Sequence, residues 1–200
     1  MSLCHKENIE CPNCKKIGKK VIWESINVDL DPEMKEEIKS GKIFEYKCPK
    51  CKESFNIDYP LLYHDMTNKY FIYYTLDDKV PELPDEYNLL KGYKSRMVKS
   101  IHDFREKVIV LDDNYDDLII EVIKMFILTK MEDKNFNDFL GIHFLNREKD
   151  DLVFEISFKT FTQNASIPYE MYEELKKNMK FNKLKEFEEV SIRTIGKLMK

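Results

Sequence analysis

Apolar and polar positions change rhythm several times along this chain, and each change predicts an element. From Lys20 to about Val28 the run KVIWESINV has strand character. DLDPEMKEEIKSGK then predicts a helix, with Asp31 as N-cap, Pro32 at the first helical position, acids in the first turn and Gly41 just past the end. KIFEYKC returns as a strand and KESFNIDY leaves as another. Farther on, KYFIYY alternates, placing Tyr70, Ile72 and Tyr74 on one face and Phe71 and Tyr73 on the other.

The second half follows a proline-marked break at KVPELPDEY. Ile101, Phe104, Val108 and Leu111 fall at helical spacing, although the β-branched run VIVL leaves that element open between helix and strand. From about Tyr115 to Lys130 a helix carries Leu118, Ile119, Val122, Ile123, Phe126 and Ile127. Its polar face is narrow, so it is expected to be buried within its lobe rather than in a dimer contact. GIHFLNREKDDLVFEISF alternates on both sides of a polar turn and predicts a hairpin. SIPYEMYEELKKNM predicts a helix over 168–179, with Tyr169, Tyr172 and Leu175 along one side, and FEEVSIRTIGKLMK a short terminal element of open type.

Composition adds little to the pattern but excludes several classes. The chain has 200 residues, 42% hydrophobic and 35% charged, without a Ser/Gly or Pro tract, so it is expected to fold throughout. A net charge of -4 argues against a dedicated nucleic-acid binder, whose footprint is broadly basic. The most apolar run, Leu118 to Leu128, is interrupted by Glu121 and Lys124 and falls short of the roughly 20 residues a membrane helix needs. The N-terminus lacks a charged-then-apolar signal pattern, so a cytoplasmic, reducing location is expected, with no membrane partner.

The cysteines change the picture most. All five lie in the first quarter: Cys4, Cys11, Cys14, Cys48 and Cys51. A secreted disulfide framework would spread them and leave none over. ECPNCKK and YKCPKCKES are near copies of one turn. C-x-x-C lets two thiolates converge on one ion, and two such turns complete a tetrahedron of four sulfurs. That predicts one structural Zn²⁺ per chain on Cys11, Cys14, Cys48 and Cys51. Cys4 and His5 are spare donors close by, and a redox dithiol is the competing reading. The fold expected is α+β: a zinc-ribbon-like antiparallel sheet with a helical insertion over 8–80, then a mixed α/β lobe over 85–200 with a buried helix and a hairpin.

Beyond the cysteines the sequence resembles the CpXC family, bacterial and archaeal proteins named for two Cys-Pro-x-Cys motifs. INVDLDPEMKEEIKSGKIFEYKCPKC and YPLLYHD are similar to its middle segment, and SRMVKSIHDFREKV with DDLIIEVIK to its later helical part, together covering about residues 9–135. The terminal IPYEMYEEL and EEVSIRTIGKLM are similar to an extended form. The resemblance places the motif cysteines on the same four positions and implies no particular activity. Zinc knuckles often carry glycine just after the second cysteine, where this chain has Lys15 and Lys52. A non-glycine residue there is tolerable only if the local backbone avoids strained positive φ.

Two further constellations bear on function. Lys15, Lys16, Lys19, Lys20, Lys50 and Lys52 crowd the turns; they could contact phosphates, or offset the two-minus charge of a zinc tetrathiolate. His64 and Asp65 are adjacent, but neighbours in a strand face opposite ways, so joint acid-base work would require a turn. There is no P-loop, G-x-G-x-x-G, H-E-x-x-H or G-x-S-x-G, and no catalytic residue is assigned. The leading expectation is a zinc-stabilised interaction or regulatory module with a protein partner. A nucleic-acid-associated ribbon and an enzyme with a site near His64 and Asp65 are the alternatives, and homo-oligomerisation is left open.

Overall fold

The computed structural model describes residues 2–77, 79, 92–131 and 137–200. The proline-marked break from Val80 to Tyr87 lies outside the described residues. The chain divides into two compact units, 1–105 and 106–200.

In the first unit, β1 (Leu3–Glu10) and β2 (Ile17–Asn27) form an antiparallel pair around the first Cys-Pro-x-Cys turn. Helix α1 (Glu33–Ser40) follows, one residue later than the capping pattern suggested, with Pro32 at its N-cap. Gly41 closes it at φ 81°, where its amide reaches the Ile38 carbonyl. This left-handed C-cap is the role glycine fills without steric cost. The small hairpin β3 (Glu45–Lys47) and β4 (Ser54–Asn56) carries the second turn. Strands β5 (Leu61–Asp65), β6 (Tyr70–Tyr74) and β7 (Lys94–Val98) complete a sheet in the order β1-β2-β5-β6-β7.

The antiparallel pairing expected near the N-terminus is present in β1/β2, β3/β4 and β5/β6, while β2/β5 and β6/β7 are parallel. A parallel neighbour needs a long crossover, and the segment from α1 through β4 supplies one between β2 and β5. The core of this unit gathers around Phe44, whose ring lies 5.2 Å from Tyr59, 5.8 Å from Tyr74 and 5.9 Å from Phe104. Ile26, Ile38, Leu61 and Ile72 are fully buried with it. Tyr70, Ile72 and Tyr74 point inward as the alternation required, and Leu62, Tyr73 and Met97 form a half-exposed row across the opposite face.

Helix α2 (Ile101–Asp112) resolves the ambiguous VIVL run as helix, since Val108, Val110 and Leu111 are each buried and packing overrides β-branched preference. In the second unit, α3 (Asp117–Lys130) is capped by the Asp116 carboxylate, which accepts the Leu118 amide. Strands β8 (Phe139–Glu148), β9 (Asp151–Phe158) and β10 (Thr162–Pro168) form an antiparallel sheet in the order β10-β9-β8. β8 and β9 are the expected hairpin; β10 was not anticipated, because TQNASIP has no strong apolar alternation. Helix α4 (Tyr169–Asn178), β11 (Glu188–Glu189) and α5 (Ile195–Leu198) complete the chain. Ile119, Ile120, Ile123, Phe144, Phe154 and Tyr172 lie at the heart of the second core.

That core also holds a charge cluster. Lys107 contacts Asp117 at 3.3 Å and Glu121 at 3.4 Å, and donates to the Val190 carbonyl at 2.9 Å. Lys124 contacts Glu106 at 2.7 Å and Glu121 at 3.1 Å. The remaining Glu106 oxygen accepts the Phe144 amide at 2.6 Å. None of these five side chains is more than 3% exposed. The narrow polar face foreseen on α3 is thus turned inward, against polar partners on α2.

Candidate metal centre

The two Cys-Pro-x-Cys turns are built alike down to their hydrogen bonds. In the first, the Cys11 amide donates to Lys16 O and the Lys15 amide to Cys11 O, each at 3.0 Å. In the second, the Cys48 amide donates to Glu53 O at 2.8 Å and the Lys52 amide to Cys48 O at 3.0 Å. This closure carries the residue just after the second cysteine of each turn into the left-handed region, at φ 58° for Lys15 and 65° for Lys52. The condition of a non-positive φ for a non-glycine residue there is therefore not met. The loop's hydrogen bonds set the backbone, and each lysine bears a steric cost of about 1–2 kcal/mol that glycine would not.

Each turn provides one fully buried sulfur, Cys11 or Cys48, and one half-buried sulfur, Cys14 or Cys51. The pairing crosses between turns, with Cys11 Sγ 3.6 Å from Cys51 Sγ and Cys14 Sγ 3.6 Å from Cys48 Sγ. All four sulfurs lie within 4.8 Å of one another. A disulfide needs about 2.05 Å, so none is formed. Four sulfurs at about 2.3 Å from one ion stand about 3.8 Å apart along a tetrahedron's edges. The donor set and its spacing fit a tetrahedral ion.

The thiols are not equivalent. The Cys51 amide, working against burial and helped by the Lys50 amide, brings the Cys48 thiol down to about 6. For Cys51 the Glu53 amide pulls downward, but burial and the neighbouring thiols Cys11, Cys14 and Cys48 prevail and push it up to about 12. Negative charge on one sulfur opposes ionisation of the others, and a cation among them would relieve that opposition.

Tyr46 roofs this cluster. It packs with Cys11 and Cys48, and its ring lies 5.4 Å from Phe55. Burial, then Cys48, Cys11, Cys14 and Cys51, raise its phenol. The hydroxyl is buried and without a hydrogen-bond partner. Beneath it lies Gly18, where a Cβ would fall 2.0 Å from Tyr46 Oη. Neither residue was singled out from the sequence. The available signal was a lone glycine inside a strand, which marks a close approach.

The other candidates are dispersed. Cys4 and His5 sit on β1 outside the four-sulfur group; Cys4 is exposed and His5 Nδ1 lies 3.0 Å from Glu24. Lys15 pairs with Glu10 at 3.5 Å, Lys20 donates to Glu45 O at 2.7 Å and Lys52 to Pro49 O at 3.1 Å. Burial lowers the Lys20 pKa, against the pull of Glu45 and Glu37. Lys16, Lys19 and Lys50 are exposed, and Lys19 and Lys20 face opposite sides of β2.

His64 and Asp65 do not meet. His64 stacks on Phe71 at 4.1 Å, and burial lowers its pKa. Buried Asp65 accepts from the Asn68 amide at 2.8 Å and Asn68 Nδ2 at 2.9 Å, and contacts Lys35 at 3.3 Å. It ties the β5-β6 turn to α1.

The CpXC protein family model matches residues 9–124, more than half of the chain and both cysteine turns. The chain belongs to the CpXC family. No curated protein and no solved structure matches it. The CpXC match ends inside α3, so most of the second unit lies beyond it. Among the described residues no helix is long and apolar enough to cross a membrane.

Proposed function

We propose that this CpXC protein is a structural-zinc protein whose ribbon serves as an interaction or regulatory module for a protein partner in the cytoplasm. The single observation that carries the reading is the four-sulfur set, in which two turns close on each other with Cys11 and Cys48 fully buried. Four thiolates fill a tetrahedral ion's coordination and leave no position for water or substrate. Cys11, Cys14, Cys48 and Cys51 would hold the ion, which supplies cross-linking of two chain segments rather than Lewis-acid chemistry. Free thiols of this kind persist in a reducing compartment. The lysines support the protein-partner reading over a nucleic-acid one, because Lys15, Lys20 and Lys52 are engaged by Glu10 and by carbonyls of their own lobe.

Cobalt substitution tests the closed site. The reading predicts a tetrahedral thiolate spectrum that added cyanide or azide leaves unchanged at short times. A spectrum that shifts on anion addition, with the protein still folded, shows an open position and overturns the structural role. Nucleic-acid titrations across a salt series provide the second arm. Steeply salt-dependent binding that is abolished by charge reversal at Lys15 or Lys50 would replace the protein-partner reading.

A further inference from the structure

The buried cluster of the second unit does not balance its own charge. It contains the ammonium groups of Lys107 and Lys124 and the carboxyl groups of Glu106, Asp117 and Glu121, two positive against three negative if all ionise. Burying an uncompensated charge costs several kcal/mol, and groups in that position neutralise instead.

The three carboxyls are held differently. Both Glu106 oxygens are in short hydrogen bonds, one to the Phe144 amide at 2.6 Å and one to Lys124 at 2.7 Å. Asp117 accepts from Lys107 at 3.3 Å beside the start of α3, where the helix dipole favours an anion. Glu121 is the carboxyl left over when each lysine is matched to its nearest one, since Lys124 lies 2.7 Å from Glu106 and Lys107 3.3 Å from Asp117. Its Oε1 lies 3.2 Å from Lys124 and 3.4 Å from Lys107, each of which has a closer oxygen elsewhere. Its Oε2 is buried and in no hydrogen bond, with Lys124 Nζ 3.1 Å away.

We propose that the second unit folds around a bound proton, held on Glu121, and that this proton makes the unit's opening sensitive to pH. The groups facing it are Glu106 and Lys107 on α2, Asp117 and Lys124 on α3, and half-buried His143 on β8, whose ring lies within 4.8 Å of the Glu106 carboxylate. The other helices packed on α3 are α4 and α5, whose buried residues are the uncharged Tyr172 and Ile195. Burial raises the Glu121 pKa and outweighs the pull of Lys124 and Lys107, with Glu106 adding to the rise.

The sign follows from linkage. A carboxyl with its pKa raised above the ordinary 4.5 contributes its full stability below that value. As pH rises the unfolded chain releases the proton while the folded unit keeps it. The opening equilibrium constant grows about tenfold per pH unit until the folded pKa is passed, then levels.

Infrared difference spectra of the full chain at neutral pH, together with amide exchange of α3 across a pH series, test this. Wild type should show a protonated buried carboxyl band, and Glu121→Gln should lack it. The Gln variant, matching the protonated acid in shape and charge, should retain α3 protection and lose its decline with pH. Absence of the band in wild type, its persistence in Glu121→Gln, or a large loss of protection in that variant would overturn the proposal. So would a pH response that disappears in His143→Gln but not in Glu121→Gln.

Discussion

The two units each bury a knot of ionisable side chains, and they neutralise it by different means. In the first unit four sulfurs converge within 4.8 Å, and the nearby Lys15, Lys20 and Lys52 contact Glu10, Glu45 O and Pro49 O. In the second, three carboxyls converge with two lysines already in place. A buried anionic site can be balanced by a cation from solution, by a charged side chain, or by a proton. The sulfur site has the spacing for the first. The carboxyl site uses the second for two charges and the third for the remaining one. The ribbon is therefore expected to depend on metal, while the second unit is expected to carry its own counter-ions and respond to pH instead.

The largest expected effect breaks the sulfur side of this contrast. Replacing Cys48 by Ser removes a fully buried ligand, and structural zinc contributes an apparent binding free energy of about 10 to 16 kcal/mol in small fingers. Amide protection should collapse in β3 and the adjoining part of β2, while α3 and β9 keep theirs. Equal loss in both units would show that they are not separately stabilised.

The next effect breaks the carboxyl side. Lys124→Met leaves Glu106 without its 2.7 Å partner and should cost about 3–5 kcal/mol, the usual penalty for orphaning a buried charge. Urea unfolding followed through the second unit would measure it, with metal content unchanged. A loss under 1 kcal/mol would mean that the cluster is solvated or that Glu106 also takes up a proton.

Two smaller changes sharpen the account of the ribbon. Gly18→Ala places a methyl against Tyr46 Oη, 2.0 Å away before any shift, and should cost about 1–3 kcal/mol by overpacking. Thermal unfolding of the metal-loaded chain reads it, and Tyr46→Phe in the same background should recover part of the loss. Lys15→Gly and Lys52→Gly should each stabilise the loaded ribbon by about 0.5–1 kcal/mol, since relief of left-handed strain exceeds the entropy cost of glycine. A loss in either variant would mean that the lysine contributes through its charge.

Legibility in the sequence followed the range of the interactions involved. Local signals served well: the glycine that closes α1, the polar turn between β8 and β9, and the two near-identical cysteine turns were all readable because each depends on residues a few positions apart, while the N-cap of α1 fell on Pro32 and not on Asp31. The four-sulfur cluster was readable too, although its halves are 34 to 40 residues apart, because one tetrahedral ion constrains four donors and leaves few alternatives. Parallel pairing of β2 with β5 was hidden, since strand order depends on a crossover and not on local pattern. Tyr46 over Gly18 and the Lys107 and Lys124 cluster were hidden for another reason. A lysine in an amphipathic helix reads as solvated until the partner that surrounds it is known. The positive φ at Lys15 and Lys52 shows the reverse failure, in which a sound local preference gave way to the hydrogen bonds that close the turn.

The central claim is that the four sulfurs are completed by an ion, and elemental analysis of the full chain purified under reducing conditions tests it most directly, with thiol titration before and after chelation. The account predicts one zinc per chain, with Cys4 alone reacting freely while metal is bound and Cys11, Cys14, Cys48 and Cys51 becoming reactive on its removal. Freshly reduced protein that holds no metal and exposes all five thiols while still folded would contradict it.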